Sequence, residues 1–165
     1  MSDAPYTADA DPDQTLEVVI KDDVWFEYEG LVTLCTRSVR AGLDRVENPR
    51  GGKPIVLFSN DAAVRELNRR FRNKNKPTNV LAFPAPEPEG YPGDVIVAFE
   101  TCAREAEAAG VPLPHHAAHL VLHGVLHLNG FDHQTEDEAS EMEALETAAL
   151  AESGIANPHL AREQA

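Results

Sequence analysis

The chain has 165 residues, 42% of them apolar, which suits one globular domain with a substantial core. A formal net charge of −14, from 28 acidic against 14 basic residues, excludes a protein that holds nucleic acid by overall basicity. No apolar run approaches the ~20 residues of a membrane span, so a cytoplasmic protein without a membrane partner is expected.

Residues 1–14 are polar, acidic and proline-containing, with no basic or apolar stretch of the kind that makes a signal peptide, and read as a disordered lead-in. A single catalytic domain is expected over 15–154, followed by a frayed tail over 155–165. Leu16 to Ile20 is short, apolar and β-branched, a strand. Trp25, Leu31, Leu34 and Val39 recur at helical spacing and predict a helix from about 24 to 41. Cys35 lies within it; neither it nor Cys102 belongs to a motif, and both suit the core of a protein from a reduced compartment. Asn48 to Gly52 is a turn, and Pro54 to Phe58 a buried strand. Ser59, Asn60 and Asp61 supply capping chemistry for a helix carrying Val64, Leu67 and Phe71.

That helix runs into a basic loop. Between Arg65 and Lys76 the chain holds Arg65, Arg69, Arg70, Arg72, Lys74 and Lys76 against Glu66 alone, although residues 1–30 and 132–165 each hold nine acids and one base. Phosphate recognition needs a local patch rather than a basic average. By charge alone the stretch reads equally as a phosphate site or as a solvated helix face. Val80 to Phe83 is a third strand, Pro84 to Pro92 a proline-rich surface crossing, and Val95 to Phe99 a fourth strand. Glu100 to Ala109 is an Ala/Glu-rich helix stopped by Gly110.

A helix over about 115–129 follows, apolar nearly all round and therefore buried. It carries His123 and His127 one turn apart on one face. Gly130 suits the left-handed turn that ends a helix and returns the chain so that His133 becomes a third nitrogen. Three protein ligands leave a fourth tetrahedral position open, the pattern of a catalytic zinc site. The spacing is also that of a metzincin protease, but Gly124 stands where such an enzyme carries its glutamate base. His116 and His119 fit structural roles, and Asp132 fits the turn or an orienting contact to a ligand. Thr135 and Glu138 form a capping box for a last helix to about Glu152, with Ala139, Met142, Leu145 and Ala149 as its apolar stripe. The expected fold is α+β: a small mixed four-stranded sheet packed with about five helices, the metal-bearing helix central and buried.

The segments Asn68-x-x-Phe71-Arg72-x-Lys74-x-Lys76-Pro77-Thr78-Asn79-Val80-Leu81-Ala82-Phe83-Pro84, Gly93-Asp94, and His123-Gly-x-Leu-His127-Leu-x-Gly130-Phe-Asp132-His133 resemble the YbeY family of bacterial endoribonucleases over roughly residues 55–150. Departures are small: Phe131 stands where tyrosine is common, and Ala82 where serine is common. The resemblance implies a zinc-dependent, single-strand-specific endoribonuclease. Such a protein holds one zinc ion and acts in maturation of the 3′ end of small-subunit (16S) rRNA, ribosome biogenesis and ribosome quality control. Single-stranded RNA, the ribosome and small-subunit ribosomal proteins are the partners implied. His123, His127 and His133 fall on its metal ligands and Arg72 on the arginine needed for activity. Lys74 and Lys76 read either as contacts to neighbouring phosphates or as solvated lysines. Whether water or the RNA 2′-OH attacks stays open. Two other functions fit parts of the sequence: a ribosome-assembly factor that binds without cutting, its zinc structural, and a metalloprotease.

Overall fold

Four short strands make the sheet: β1 (Glu17–Ile20), β2 (Ile55–Ser59), β3 (Val80–Pro84) and β4 (Gly93–Ala98). Their order is β1-β2-β4-β3, with β3 alone antiparallel, at an edge. Among the described residues five helices surround it: α1 (Leu31–Leu43), α2 (Asp61–Arg72), α3 (Phe99–Ala109), α4 (Leu113–Leu128) and α5 (Glu136–Glu152). The structure is a computed structural model that describes residues 15–72 and 78–159. Mixed sheet, helix number and buried α4 match the expected α+β class. Lys74 and Lys76 lie outside the described residues, as does the expected disordered lead-in over 1–14.

Alternation along the strands divides the helices between two faces. Val18, Ile20, Val56, Phe58, Val95 and Val97 point to one side, where they form the main core with α1, α3, α4 and α5. Ile96, Ala98 and Leu81 point to the other, where Val64 of α2 completes a smaller cluster with Leu67 and Phe83 packed on it. The register aligns the inward residues across strands: Val18 faces Val56, Val56 faces Val95, and Phe58 faces Val97.

The helix expected from 24 to 41 is two elements. Asp22 accepts a hydrogen bond from the Val24 N–H (3.1 Å) and opens a 3-10 turn over Asp23–Glu27. That turn buries Trp25, whose indole N–H donates to the Ser59 carbonyl at 2.8 Å. Gly30, at φ 78°, redirects the chain into α1. Helical spacing alone does not expose such a break, because residues on both sides of it are buried. The tail expected to fray from residue 155 is packed as far as His159: Ile155 and His159 are 6% and 9% exposed. Cys35 and Cys102 are free and buried, as their lack of a motif implied, and burial pushes both thiols up.

The close seat of α4 on the sheet explains Gly124. A Cβ there would meet Val95 Cγ1 at 2.7 Å and Cγ2 at 3.1 Å. Valine is stiff at χ1 and yields little. Gly124→Ala gains about 1 kcal/mol of helix propensity but overpacks the interface at a cost of about 1–3 kcal/mol. The expected outcome is a lower urea midpoint at unchanged slope.

Candidate metal centre

The C-terminal end of α4 builds the site. Gly130, at φ 95°, donates its N–H to the His127 carbonyl (3.0 Å), and the Phe131 N–H returns to Leu126 O (3.1 Å). This closes the helix and reverses the chain. Asp132 Oδ1 accepts from the backbone N–H of His133 at 2.7 Å. His133 thereby stacks beside His123, ring centroids 5.5 Å apart, and lies 5.2 Å from the His127 ring. Each of the three imidazoles offers a nitrogen, and the three nitrogens all lie within 4.8 Å of one another.

The partners of the outer nitrogens test whether the group suits a cation. His127 Nδ1 lies 2.8 Å from the Phe131 carbonyl, which can only accept, so that nitrogen carries the proton. His123 Nδ1 lies 2.6 Å from Glu146 Oε2 and carries one for the same reason. Burial first, and the neighbouring His123 next, lower the pKa of His127, so its ring is neutral at pH 7. Its Nε2 is therefore a lone pair, facing the Nε2 of His123 at 3.1 Å. Nitrogens at that separation need a proton or a shared cation between them. The donor set fits a divalent metal that accepts imidazole.

Glu146 is the residue that sequence reasoning missed. It is 1% exposed and collects three imidazoles: His123 on Oε2, His119 (3.1 Å) and His159 (3.0 Å) on Oε1. Burial raises its pKa, but the hydrogen bonds from His119 and His123 outweigh this and hold the carboxyl well below its usual range. An ionised carboxylate against the Nδ1–H of a ligand histidine fixes tautomer and ring orientation and makes the far nitrogen a better donor. A signal was present in the sequence: Glu146 lies four residues after Met142 and three before Ala149, on the stripe read as apolar. A carboxylate there needs partners. His159, in a tail expected to fray, carried no such signal.

His119, Glu146 and His159 form a second close group of possible ligand atoms. Each imidazole spends its Nε2 on Glu146 at hydrogen-bond distance, so the group reads as a clamp on the carboxylate. His119 Nδ1 is buried without a partner among the described residues. His116 Nε2 lies 2.8 Å from Glu105 Oε1.

The three histidines open on a cleft of about 670 Å³, whose walls include Thr78, Asn79 and Val80 at the start of β3 and Met142 and Glu143 of α5. Asn79 also donates to Glu105 of α3 (3.0 Å), 26 residues along the chain. Arg72 is not among the cleft-lining side chains. It ends α2, is exposed, lays its guanidinium 5.3 Å from the centre of the Phe83 ring, and donates to the Ala82 carbonyl at 2.8 Å. Ala82 is two residues along β3 from Val80, which does line the cleft.

Fold and site together define the class: a small α+β protein with a trihistidine centre at the end of a buried helix, open to a cleft. The family described as Endoribonuclease YbeY matches residues 23–154, and the chain belongs to that family. A Rhodopseudomonas palustris protein named endoribonuclease YbeY is 42% identical, over 90% of this chain and 82% of its own length. One of the same name from Azorhizobium caulinodans is 46% identical over 87% and 95%. The solution structure of a Thermotoga maritima protein, 22% identical, matches with a TM-score of 0.50 over 86% of this chain and 97% of that one, which supports the fold.

Proposed function

We propose that this protein is a zinc-dependent, single-strand-specific endoribonuclease of the cytoplasm that matures the 3′ end of 16S rRNA in ribosome biogenesis and ribosome quality control. The observation that carries the reading is the convergence of His123, His127 and His133, with their outer protons committed to Glu146 and Phe131. Membership of a family whose relatives are named endoribonucleases supplies the substrate class and favours cutting over binding alone. No described helix is long and apolar enough to cross a membrane. The metalloprotease reading loses its ground at Gly124, where even a Cβ runs into β4.

In this account His123, His127 and His133 hold zinc, which when bound supplies Lewis acidity toward a phosphoryl oxygen and lowers the pKa of water toward neutrality. Glu146 holds the His123 ring proton at Nδ1 and so turns Nε2 toward the ion. Arg72 makes one hydrogen bond among the described residues, to a solvent-edge carbonyl, and its planar fork suits a non-bridging phosphate oxygen. Lys74 and Lys76 hold neighbouring phosphates, and contacts with small-subunit ribosomal proteins fall to the acidic ends of the chain.

The test compares cleavage of a labelled oligoribonucleotide, single-stranded and as a duplex, by the wild type and Arg72→Ala. Cleavage confined to the single strand is expected, with kcat in Arg72→Ala reduced by about a hundredfold, as for loss of a donor that stabilises transition-state charge. Equal cleavage of the duplex, or an effect of Arg72→Ala confined to KM, contradicts these assignments.

A further inference from the structure

A second feature of the α2–β3 corner is unexplained by the metal centre. Phe71 is 62% exposed, the most exposed of the large hydrophobic side chains among the described residues, on a chain of net charge −14. Its ring sets edge-on against Phe83, centroids 5.8 Å apart, and Phe83 in turn carries the Arg72 guanidinium. Arg70 lies 5.4 Å from the centre of the Phe71 ring. Arg69, by contrast, is engaged by Glu66 at 2.6 Å. The corner thus presents an aromatic face flanked by two guanidiniums.

We infer that Phe71, with Arg70 and Arg72, is a nucleobase-stacking subsite for single-stranded RNA, adjoining the cleft along the edge strand β3. The inference rests on the proposed RNA substrate and adds to it a residue that contacts a base. A single strand has unstacked bases, each with a π face, strung on a phosphate backbone. The matching protein surface is an aromatic ring beside fixed cations. A duplex buries those faces, so such a corner discriminates for single strands. Val80, at the cleft, and Phe83, under Phe71, are three residues apart on one strand, about 10 Å. The two face opposite sides of the sheet, so an RNA segment that engages both passes over its edge at β3.

Edge strand β3 also explains why the subsite is held in place. Leu81 and Phe83 pack toward α2, whereas Val80 and Ala82 pack toward the core that contains α4. One strand thereby fixes the aromatic corner relative to the histidines.

The experiment uses the full chain as purified. Phe71→Trp places an indole at the corner; Trp25, 1% exposed, contributes a constant background. Stopped-flow mixing with oligoadenylate, read before turnover, is expected to quench the new indole, and inorganic polyphosphate is expected to leave it unchanged. In steady state, Phe71→Leu is expected to raise KM for a single-stranded oligoribonucleotide about tenfold, the scale of one lost base–aromatic stack, with kcat within about twofold. Phe26→Leu, altering an aromatic that is 52% exposed elsewhere, is expected to change neither. No quenching by oligoadenylate, equal quenching by polyphosphate, or an unchanged KM in Phe71→Leu overturns the subsite. Cleavage by the wild type with Phe71→Leu unaltered overturns the subsite alone. Quenching by oligoadenylate without any cleavage supports the subsite and counts against the nuclease reading.

Discussion

His133→Ala is expected to remove the bound metal, and RNA cleavage with it, while leaving the fold intact. His133 is the exposed member of the ligand trio. It follows a reversing turn and belongs to neither core cluster. A ligand position carried by the surface is the cleanest to remove, because little packing is lost with it. Loss of an outer partner to a ligand lowers metal affinity by about 10- to 100-fold, and loss of a ligand itself is expected to exceed about 100-fold. Elemental analysis after dialysis reads the result, and circular dichroism checks the fold. A variant that keeps stoichiometric metal contradicts the ligand assignment. His127→Ala tests the same centre less cleanly, since it also breaks the 2.8 Å bond to Phe131 that shapes the turn.

Glu146→Gln is expected to damage stability and metal affinity together. The amide replaces one acceptor oxygen by an N–H donor among three imidazole nitrogens that all need an acceptor. An unmet donor in a buried site costs about 1–3 kcal/mol, and metal affinity falls by about 10- to 100-fold through the misoriented His123. The pH dependence has a definite sign. The folded carboxyl titrates below its unfolded value, so its stabilisation is fully present above about pH 4.3 and is lost as pH falls through the folded value. Denaturant unfolding at pH 7 and pH 3 checks this: the gap between wild type and Glu146→Gln narrows in acid. A gap that is unchanged or wider in acid contradicts the carboxylate clamp.

The three-histidine cluster was legible in the sequence because its geometry is local. Two histidines one turn apart, a glycine at the helix end and a third histidine three residues on leave the backbone few alternatives. The strands were legible for a similar reason, since short β-branched runs bounded by turn residues permit little else. What escaped depends on contacts between distant segments. Glu146 lies 23 residues from His123, and nothing in α5 alone says which side chains face it. The break at Gly30 follows from the burial of Trp25 against Ser59, 34 residues away. Gly124 could be read as a missing base, but the reason for a glycine there is the approach of Val95 from another element. The displacement of Arg72 from the cleft wall was hidden too, because sequence places it only near β3, whereas strand alternation decides which face of the sheet it shares.

The most direct test of the account titrates zinc into protein stripped of metal and follows cleavage of single-stranded RNA. The rate is predicted to be negligible without metal, to rise in proportion to added zinc, and to level off at one ion per chain. Cleavage that persists in the stripped protein at the same rate would contradict the central claim that the three imidazoles and their ion form the catalytic centre.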